Sequence, residues 1–504
     1  MSPKGKLKII PLGGVEEIGK NIYVLEYADD IVILDCGSIF PKEDMLGIDL
    51  VIPDVTYLQR NRDKIRGILV THGHEDHIGA IPYVVKQLGG VVPIYGTRLT
   101  LALIELKLKE HRAMPNVALH TIVPGSSEKI GAFDVDFIKM SHSIAGAVSM
   151  AIKCPVGTVV FTGDFKVDYT PVDGELMDFQ KLAELGKRGV LALLMDSTNV
   201  ERPGYTMSEK KVGETFNALF PRAKGRIIIA MFASNVHRIQ QVVNSAQQYG
   251  RKICLTNVST VAMQLGELHI PDDMMISIDD LDRYPDDEIV VITTGSQGEQ
   301  MSGLTRMAFS EHRKLDIRSS DMVVISANPI PGNELSVSRV IDQLLRKGAD
   351  VVYEALAEVH VSGHACQEEL KLMHALIKPK FFIPVHGEYR MLSMHKKLAM
   401  SMGMPEDHVI IPRVGDVIEI SRNSAKVAGA VPAGAVLVDG LGIGDVGNVV
   451  LRDRRHLSQD GLMTVVVGLS EKDNKLVSGP DIVTRGFVYV RENEELMVQA
   501  REVV

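Results

Sequence analysis

Thr71-His72-Gly73-His74-Glu75-Asp76-His77 follows directly on the apolar run Ile68-Leu69-Val70. Only 16 of the 504 residues are histidine, and three of them fall in this one short stretch. Imidazole and carboxylate at this density suit Zn²⁺ or Mn²⁺. In an extended loop His72 and His74 share a side, because side chains alternate with period two. Asp76 and His77 can turn toward an adjacent ion. Gly73 removes a side chain where the loop must bend closely.

One ion takes about four ligands, so a cluster this rich invites a second shell. Three more strand ends offer ligands. Val135–Met140 leads into Ser141-His142-Ser143, Val159–Phe161 into Thr162-Gly163-Asp164, and Phe381–Val385 into His386-Gly387-Glu388. Open sheets place their sites at the C-terminal ends of strands. Singly, a residue such as His142 or Asp164 is more often structural; together His72, His74, Asp76, His77, His142, Asp164 and His386 form a consistent set of seven.

Around these motifs the chain reads as α/β. Apolar runs at 31–34, 68–70, 91–95, 135–138 and 159–161 predict strands, with helices over 78–88 and 99–111. Residues 206–220 predict an amphipathic helix with Thr206 and Glu209 as a capping box. Strands at 226–232, 252–255, 288–292, 321–325 and 351–354 then alternate with helices at 235–249 and 335–347, which predicts a parallel sheet covered on both faces. A helix at 370–376 and a buried strand at 380–385 follow. The Gly- and Asp-rich stretch 438–447 reads as a linker. The expected domains are 1–207, 208–357 as an insertion, 358–445 as the return to the first domain, and 446–504 as linker and start of a last domain.

Composition excludes several classes. Hydrophobic residues make up 45% and charged residues 24%, so a disordered or fibrous chain is ruled out. The net charge of −9 argues only weakly against a nucleic-acid partner, because placement of charge decides binding. There is no Trp, so a surface built mainly from aromatic stacking is not expected. Cys36, Cys154, Cys254 and Cys366 are far apart and read as reduced thiols of a cytoplasmic protein. The basic N-terminus lacks a signal-peptide core, and no apolar run is long enough to predict a membrane span.

His-x-His-x-Asp-His followed by isolated His, Asp and His resembles the metallo-β-lactamase superfamily, whose fold is a four-layer αββα sandwich. The long run from Asp164 to His386, with an α/β block inside it, resembles the β-CASP nuclease group. Asp196-Ser197-Thr198, His360-Val361-Ser362-Gly363-His364-Ala365 and Pro384-Val385-His386-Gly387-Glu388 match that group's motifs. Leu12–Lys20, Phe232–Arg238, Thr294–Glu299 and Ser478–Tyr489 extend the likeness along the whole chain to the bacterial ribonuclease J family.

The resemblance implies a site. His72, His74 and His142 would hold one Zn²⁺, and Asp76, His77 and His386 a second, with Asp164 bridging; Mn²⁺ or Mg²⁺ are alternatives in activity. Asp76 would also act in catalysis, Asp196 and Glu388 would orient ligand imidazoles, and His364 would help the leaving oxygen depart. Val361, Ser362 and Gly363 would contact substrate; His360 reads equally well as a substrate contact or a packed loop histidine. Ser296, Gln297 and Gly298, in a Gly-rich turn, would form a 5′-phosphate pocket with Asn235 and His237; Asn235, His237 and Arg238 read equally well as a helix start. A structural Ca²⁺ at Gly47, Asp49 and Asp439 is implied, with solvated turn aspartates as the default.

The implied activity is 5′-to-3′ exonucleolytic and endonucleolytic hydrolysis of single-stranded RNA, favouring 5′-monophosphate ends, in RNA decay and rRNA or mRNA maturation. A homodimer or tetramer is implied, with a paralogous subunit or RNA-decay proteins as further partners. The family's last domain is usually longer, so the one here is expected to be incomplete. Two competing readings are a lactone or thioester hydrolase of the same superfamily and a non-catalytic RNA-binding subunit. The inserted block and the complete ligand set count against them.

Overall fold

Val190–Asp196 shows how the fold is assembled, because its residues alternate between two cores. Ala192 and Leu194 face one cluster with Phe137, Met150, Phe161, Phe381 and Ile383. Leu193 and Met195 face another with Leu182, Leu370, Met373 and Phe382. A strand buried on both faces must lie between a second sheet and a layer of helices. The computed structural model describes residues 5–42, 44–256, 261–296, 302–329, 333–440, 442–487 and 493–504.

The inner core lies between two sheets. The first has eight strands in the order Ala425–Ala430, Asp416–Ile420, Leu7–Gly13, Ile22–Tyr27, Asp30–Leu34, Ile65–Leu69, Val92–Gly96 and Val117–Thr121. The second has six, in the order Pro379–Val385, Val190–Asp196, Gly157–Phe161, Val148–Cys154, Phe133–Lys139 and Ser127–Ile130. Helices Phe179–Arg188, Gln367–Ile377 and Tyr389–Ser401 supply the outer layer of the second sheet. Helix Arg98–Glu110 packs on strands Val92–Gly96 and Val117–Thr121 of the first. The result is the expected αββα stack, with strands from both sides of residues 208–357.

A third, five-stranded sheet is wholly parallel. Its order is Lys252–Leu255, Ile289–Thr293, Ile227–Ala230, Met322–Ile325 and Asp350–Val352. Its central strand alternates too. Ile227 and Ile229 face the helices Lys210–Leu219 and Val236–Gln248, while Ile228 and Ala230 face Leu304, Met307 and Leu344. The first of these cores also takes in Leu99, Ile144 and Ala145, which seats this layer on the αββα stack.

Residues 1–39 and 53–434 form one compact unit; Phe40–Ile52 and Ala435–Val504 form another. In the second unit Leu50–Pro53, Ala435–Asp439 and Gly442–Ile443 make a small sheet, and Leu462–Leu469 pairs with Leu476–Arg485. The stretch expected to be a linker therefore holds a tight hairpin, with Leu437 and Val438 buried and Gly440 in the left-handed region at φ 56°.

Two local expectations give way. The helix expected over 78–88 is split into Glu75–Ile78 and Ile81–Leu88, because Pro82 sits in the first turn and starts a new helix. The Thr206–Glu209 capping box does not form. The Thr206 hydroxyl lies within hydrogen-bonding distance of the His364 carbonyl and Glu369, and Glu209 is drawn into a buried ion pair.

That pair secures both crossings into the inserted block. Arg238 is fully buried and donates to Glu209 at 2.6 and 3.1 Å, to the Ser326 carbonyl at 2.8 Å and to His360 Nδ1 at 2.9 Å. Burial raises the Glu209 pKa, but the Arg238 charge overrides it and brings the carboxyl down to about 2. A folded-state pKa below the unfolded value adds stability above the unfolded pKa of 4.5, which is lost as pH falls through about 2. Removing one partner of a buried pair costs about 3–5 kcal/mol. Glu209→Gln should therefore lower stability by that amount near neutral pH. It should also flatten acid unfolding between pH 4.5 and 2, as read by denaturant titration at a series of pH values.

Candidate metal centre

The ligand residues sit where strands of both sheets run out. Ile65–Leu69 opens into Thr71–His77, Phe133–Lys139 into His142, Gly157–Phe161 into Asp164, and Pro379–Val385 into His386. Two glycines allow the close approach. A Cβ on Gly37 would lie 1.6 Å from the Asp76 carbonyl oxygen, and one on Gly363 would lie 2.6 Å from the His142 ring. His386 adopts a left-handed φ of 54°, a conformation that costs a non-glycine residue about 1–3 kcal/mol. Its N–H donates to the Gly14 carbonyl at 2.7 Å, which holds the turn.

Hydrogen bonds at the far side of three rings fix which nitrogen faces inward. His142 Nδ1 donates to the Gly363 carbonyl at 2.8 Å, so Nε2 is left for the centre. His77 Nδ1 donates to Asp35 Oδ2 at 2.8 Å. The Thr71 hydroxyl donates to Asp35 at 2.9 Å and accepts from His72 Nδ1 at 3.0 Å. Asp35 thus orients His77 directly and His72 through Thr71. Asp35 is absent from the sequence-based set. The signal it offers is an aspartate closing the apolar strand Asp30–Leu34, before Cys36-Gly37.

Three inward nitrogens then converge on one another. His72 Nε2 lies 3.0 Å from His74 Nδ1, and His142 Nε2 lies 3.2 Å from the same atom. A tetrahedral Zn²⁺ with Zn–N bonds of about 2.0–2.1 Å needs nitrogens about 3.3 Å apart. Burial lowers the pKa of all three, His74 to about 4 and His142 to about 3, so their lone pairs are available at neutral pH.

Asp76, His77, Asp164 and His386 form the adjoining group. His77 Nε2 is 3.1 Å from Asp164 Oδ2, and His386 Nε2 is 3.1 Å from Asp76 Oδ2. Asp164 Oδ2 also lies 3.7 Å from His72 Nε2 and 3.8 Å from His142 Nε2, so this carboxylate touches both groups. Its Oδ1 is buried without a hydrogen-bond partner, an orphaned acceptor that a cation would satisfy. Burial alone would raise the carboxyl pKa values. Instead the charge of His77 holds Asp76, and that of His386 holds Asp164, well below the usual range. Burial also opposes protonation of His77 and His386, yet Asp164 leads the charges that push both upward, His386 to about 10. The donor set fits two cations, and without them protons stand in.

Asp196 and His364 adjoin the second group. His364 Nδ1 donates to Asp196 Oδ2 at 2.8 Å, and Asp196 Oδ1 is 3.4 Å from His386 Nδ1. Glu388 was expected to orient a ligand as well. Its half-exposed carboxylate instead pairs with Arg390 at 2.9 Å, because it caps a surface helix.

The remaining expected contacts divide. Ser362 accepts from Asn199 at 2.7 Å and from the His364 N–H at 3.1 Å, beside the centre. Asn235 caps its helix by accepting from the Arg238 N–H at 3.1 Å, His360 is committed to Arg238, and Val361 packs in the apolar core. For Asn235 and His360 these contacts accord with the structural side of the two roles each was read to have. His237 lines a cavity with Ser141, His142 and Lys166. Ser296 is buried, and Gln297 and Gly298 lie outside the described residues. In the second unit the Asp49 carboxylate accepts from the Gly440 N–H at 2.7 Å, and Asp439 pairs with Arg454. Among the described residues, every cluster of three or more ligating side chains belongs to the centre above.

Removing an imidazole's outer partner typically costs 10–100-fold in metal affinity. Asp35→Asn should weaken Zn²⁺ retention by about that factor against a competing chelator. Because His386 must shed a proton to bind, retention should tighten as pH rises.

Family comparisons agree with this geometry. Residues 16–202 match the metallo-beta-lactamase superfamily, 224–344 the ribonuclease J beta-CASP domain, 348–412 a Zn-dependent metallo-hydrolase RNA specificity domain, and 449–504 the ribonuclease J C-terminal domain. The chain is 49% identical to ribonuclease J2 of Bacillus subtilis, over 99% of this chain and 90% of that one. It is 45% identical to ribonuclease J of Synechocystis, over 98% and 78%. A solved protein of unknown function from Enterococcus faecalis shares the fold at a TM-score of 0.56, with 18% identity over 82% of this chain and all of that one. On the strength of these full-length likenesses and the two-group ligand set, the chain belongs to the ribonuclease J family.

Proposed function

We propose that this protein hydrolyses phosphodiester bonds in single-stranded RNA, as a 5′-to-3′ exonuclease and an endonuclease acting in RNA decay and rRNA or mRNA maturation. The observation that carries the reading is the convergence of His72, His74 and His142 with Asp76, His77, Asp164 and His386. Two Zn²⁺ ions, when bound there, lower the pKa of a shared water and screen charge on the phosphate. Mn²⁺ or Mg²⁺ would serve the same donors in activity.

The chain's own groups supply the rest. Asp76, about one-third exposed, is the ligand carboxylate open to an entering substrate. Asp196 holds His364 Nδ1, so Nε2 is the atom that can pass a proton to the leaving 3′-oxygen. Burial opposes that proton, but the Asp196 charge outweighs it and raises the His364 pKa. The Ser362 hydroxyl accepts two hydrogen bonds and has its own hydrogen to give to a phosphate oxygen. A preference for 5′-monophosphate ends would draw on Ser362, Gly363 and the turn at Ser296, Gln297 and Gly298.

A structural Ca²⁺ at Gly47, Asp49 and Asp439 has less support. Arg454 pairs with Asp439 and donates to the Leu46 carbonyl at 2.9 Å, so an arginine already supplies positive charge there. The four cysteines are free thiols, and no described helix is long and apolar enough to cross a membrane. Both facts accord with a cytoplasmic enzyme. A homodimer or tetramer, with a paralogous subunit or RNA-decay proteins as partners, completes the proposal.

A time course on 5′-labelled RNA tests the reading. Monophosphorylated RNA should be degraded from its 5′ end, triphosphorylated RNA more slowly, and neither in excess chelator. His364→Ala should lower kcat by about 10²–10⁴-fold while zinc content is kept. Turnover in a metal-free sample, or in a His74→Ala, Asp76→Ala double variant, would overturn it.

A further inference from the structure

Four described aromatic side chains are exposed by 60% or more: Phe40, Tyr169, Tyr205 and Tyr389. The three tyrosines are all placed just after residues of the metal centre. Tyr169 follows Asp164 by five residues, Tyr205 follows Asp196 by nine, and Tyr389 follows His386 by three. A large ring left in water forgoes the burial that would stabilise the fold. Three such rings on segments leaving the same site are not accounted for by packing.

The segments that carry them are tied to one another. The Thr170 hydroxyl donates to Ser208 Oγ at 3.0 Å, which joins the Tyr169 segment to the one after Tyr205. The Thr206 N–H donates to Glu369 at 2.7 Å, and its hydroxyl lies 2.8 Å from the His364 carbonyl. Arg390 pairs with Glu201, which joins the Tyr389 helix to the strand-end loop that leads to Tyr205. The segments that carry the rings are therefore braced against one another and against the site, where His74, Asp76 and His364 keep some exposure. Tyr169 is further set by stacking on Phe179, at 6.2 Å and 16° between ring planes, so one of its faces is already supported.

We propose that Tyr169, Tyr205 and Tyr389 are base-stacking residues that grip successive nucleobases of a single-stranded RNA as it reaches the metal centre. Every base offers a π face, so the grip is tolerant of sequence, and paired bases cannot enter it. The inference rests on the function proposed above and assigns the residues that would select unpaired strands. It also revises the expectation, drawn from the lack of Trp, that stacking plays little part: three tyrosines suffice where a fold sets them together.

Steady-state kinetics of the metal-loaded enzyme on 5′-monophosphorylated single-stranded RNA test this. The Tyr169→Ala, Tyr205→Ala, Tyr389→Ala triple variant should raise KM roughly 5- to 100-fold, with kcat within about twofold of wild type. The corresponding triple Phe variant should restore KM, because the ring and not the hydroxyl carries the contact. RNA made abasic near its 5′ end should erase the difference between wild type and the Ala variant. A triple Ala variant with unchanged KM and an unchanged melting temperature overturns the stacking proposal alone. A wild-type enzyme that leaves RNA intact overturns instead the function on which it rests. A loss that Phe does not rescue also counts against stacking.

Discussion

The convergence of ring nitrogens and carboxylates in one confined space defines this molecule. His72 Nε2, His74 Nδ1 and His142 Nε2 converge at 3.0–3.2 Å, and the Asp164 carboxylate touches them and the adjoining group. Lone pairs and carboxylates held this close repel unless positive charge lies between them. The scaffold sets the arrangement because the outer nitrogens of His77, His72, His142 and His386 are committed elsewhere, to Asp35, Thr71, Gly363 and the Asp196–Thr198 turn. The centre is therefore an electrostatic debt that the fold holds open for cations.

The rest of the architecture serves that convergence. Two sheets meet face to face, so strand ends from distant parts of the chain arrive on one edge. The inserted parallel sheet leaves and returns through a buried knot of Arg238, Glu209, His360 and the Val361 carbonyl. This knot holds the segment that carries Ser362, Gly363 and His364 against the centre. A polar cluster that supplies no candidate ligand thus sets the position of Ser362, Gly363 and His364.

Much of this was legible in the residues, and the failures are instructive. The parallel block stood out because its strands are short apolar runs between Gly-stopped helices, as at Ile227–Ala230 and Lys252–Leu255. Ile22–Tyr27, Val148–Cys154 and Val190–Asp196 were not anticipated, since strands buried on both faces carry no period-two pattern. Among site residues, the seven side chains that converge were legible because their local density or Gly-flanked strand ends betray them. Asp35 was not, because one aspartate after an apolar run looks like any strand end; its role appears only when Thr71 and His77 fold against it. Asn235 and His360 were drawn toward substrate by motif, whereas a buried Arg238 needs both of them.

His386 comes from the far side of the inserted block, and its left-handed turn is latched by Gly14 near the opposite end of the chain. The second cation cannot be fully enclosed until polypeptide separated by more than three hundred positions has met. Ligation energy at that second group would thereby be gained only by molecules whose long-range closure is complete. During synthesis the N-terminal part would present His72, His74 and His142 together but leave the group of Asp76, His77 and Asp164 one residue short, so capture of a second cation would double as a proof of finished folding.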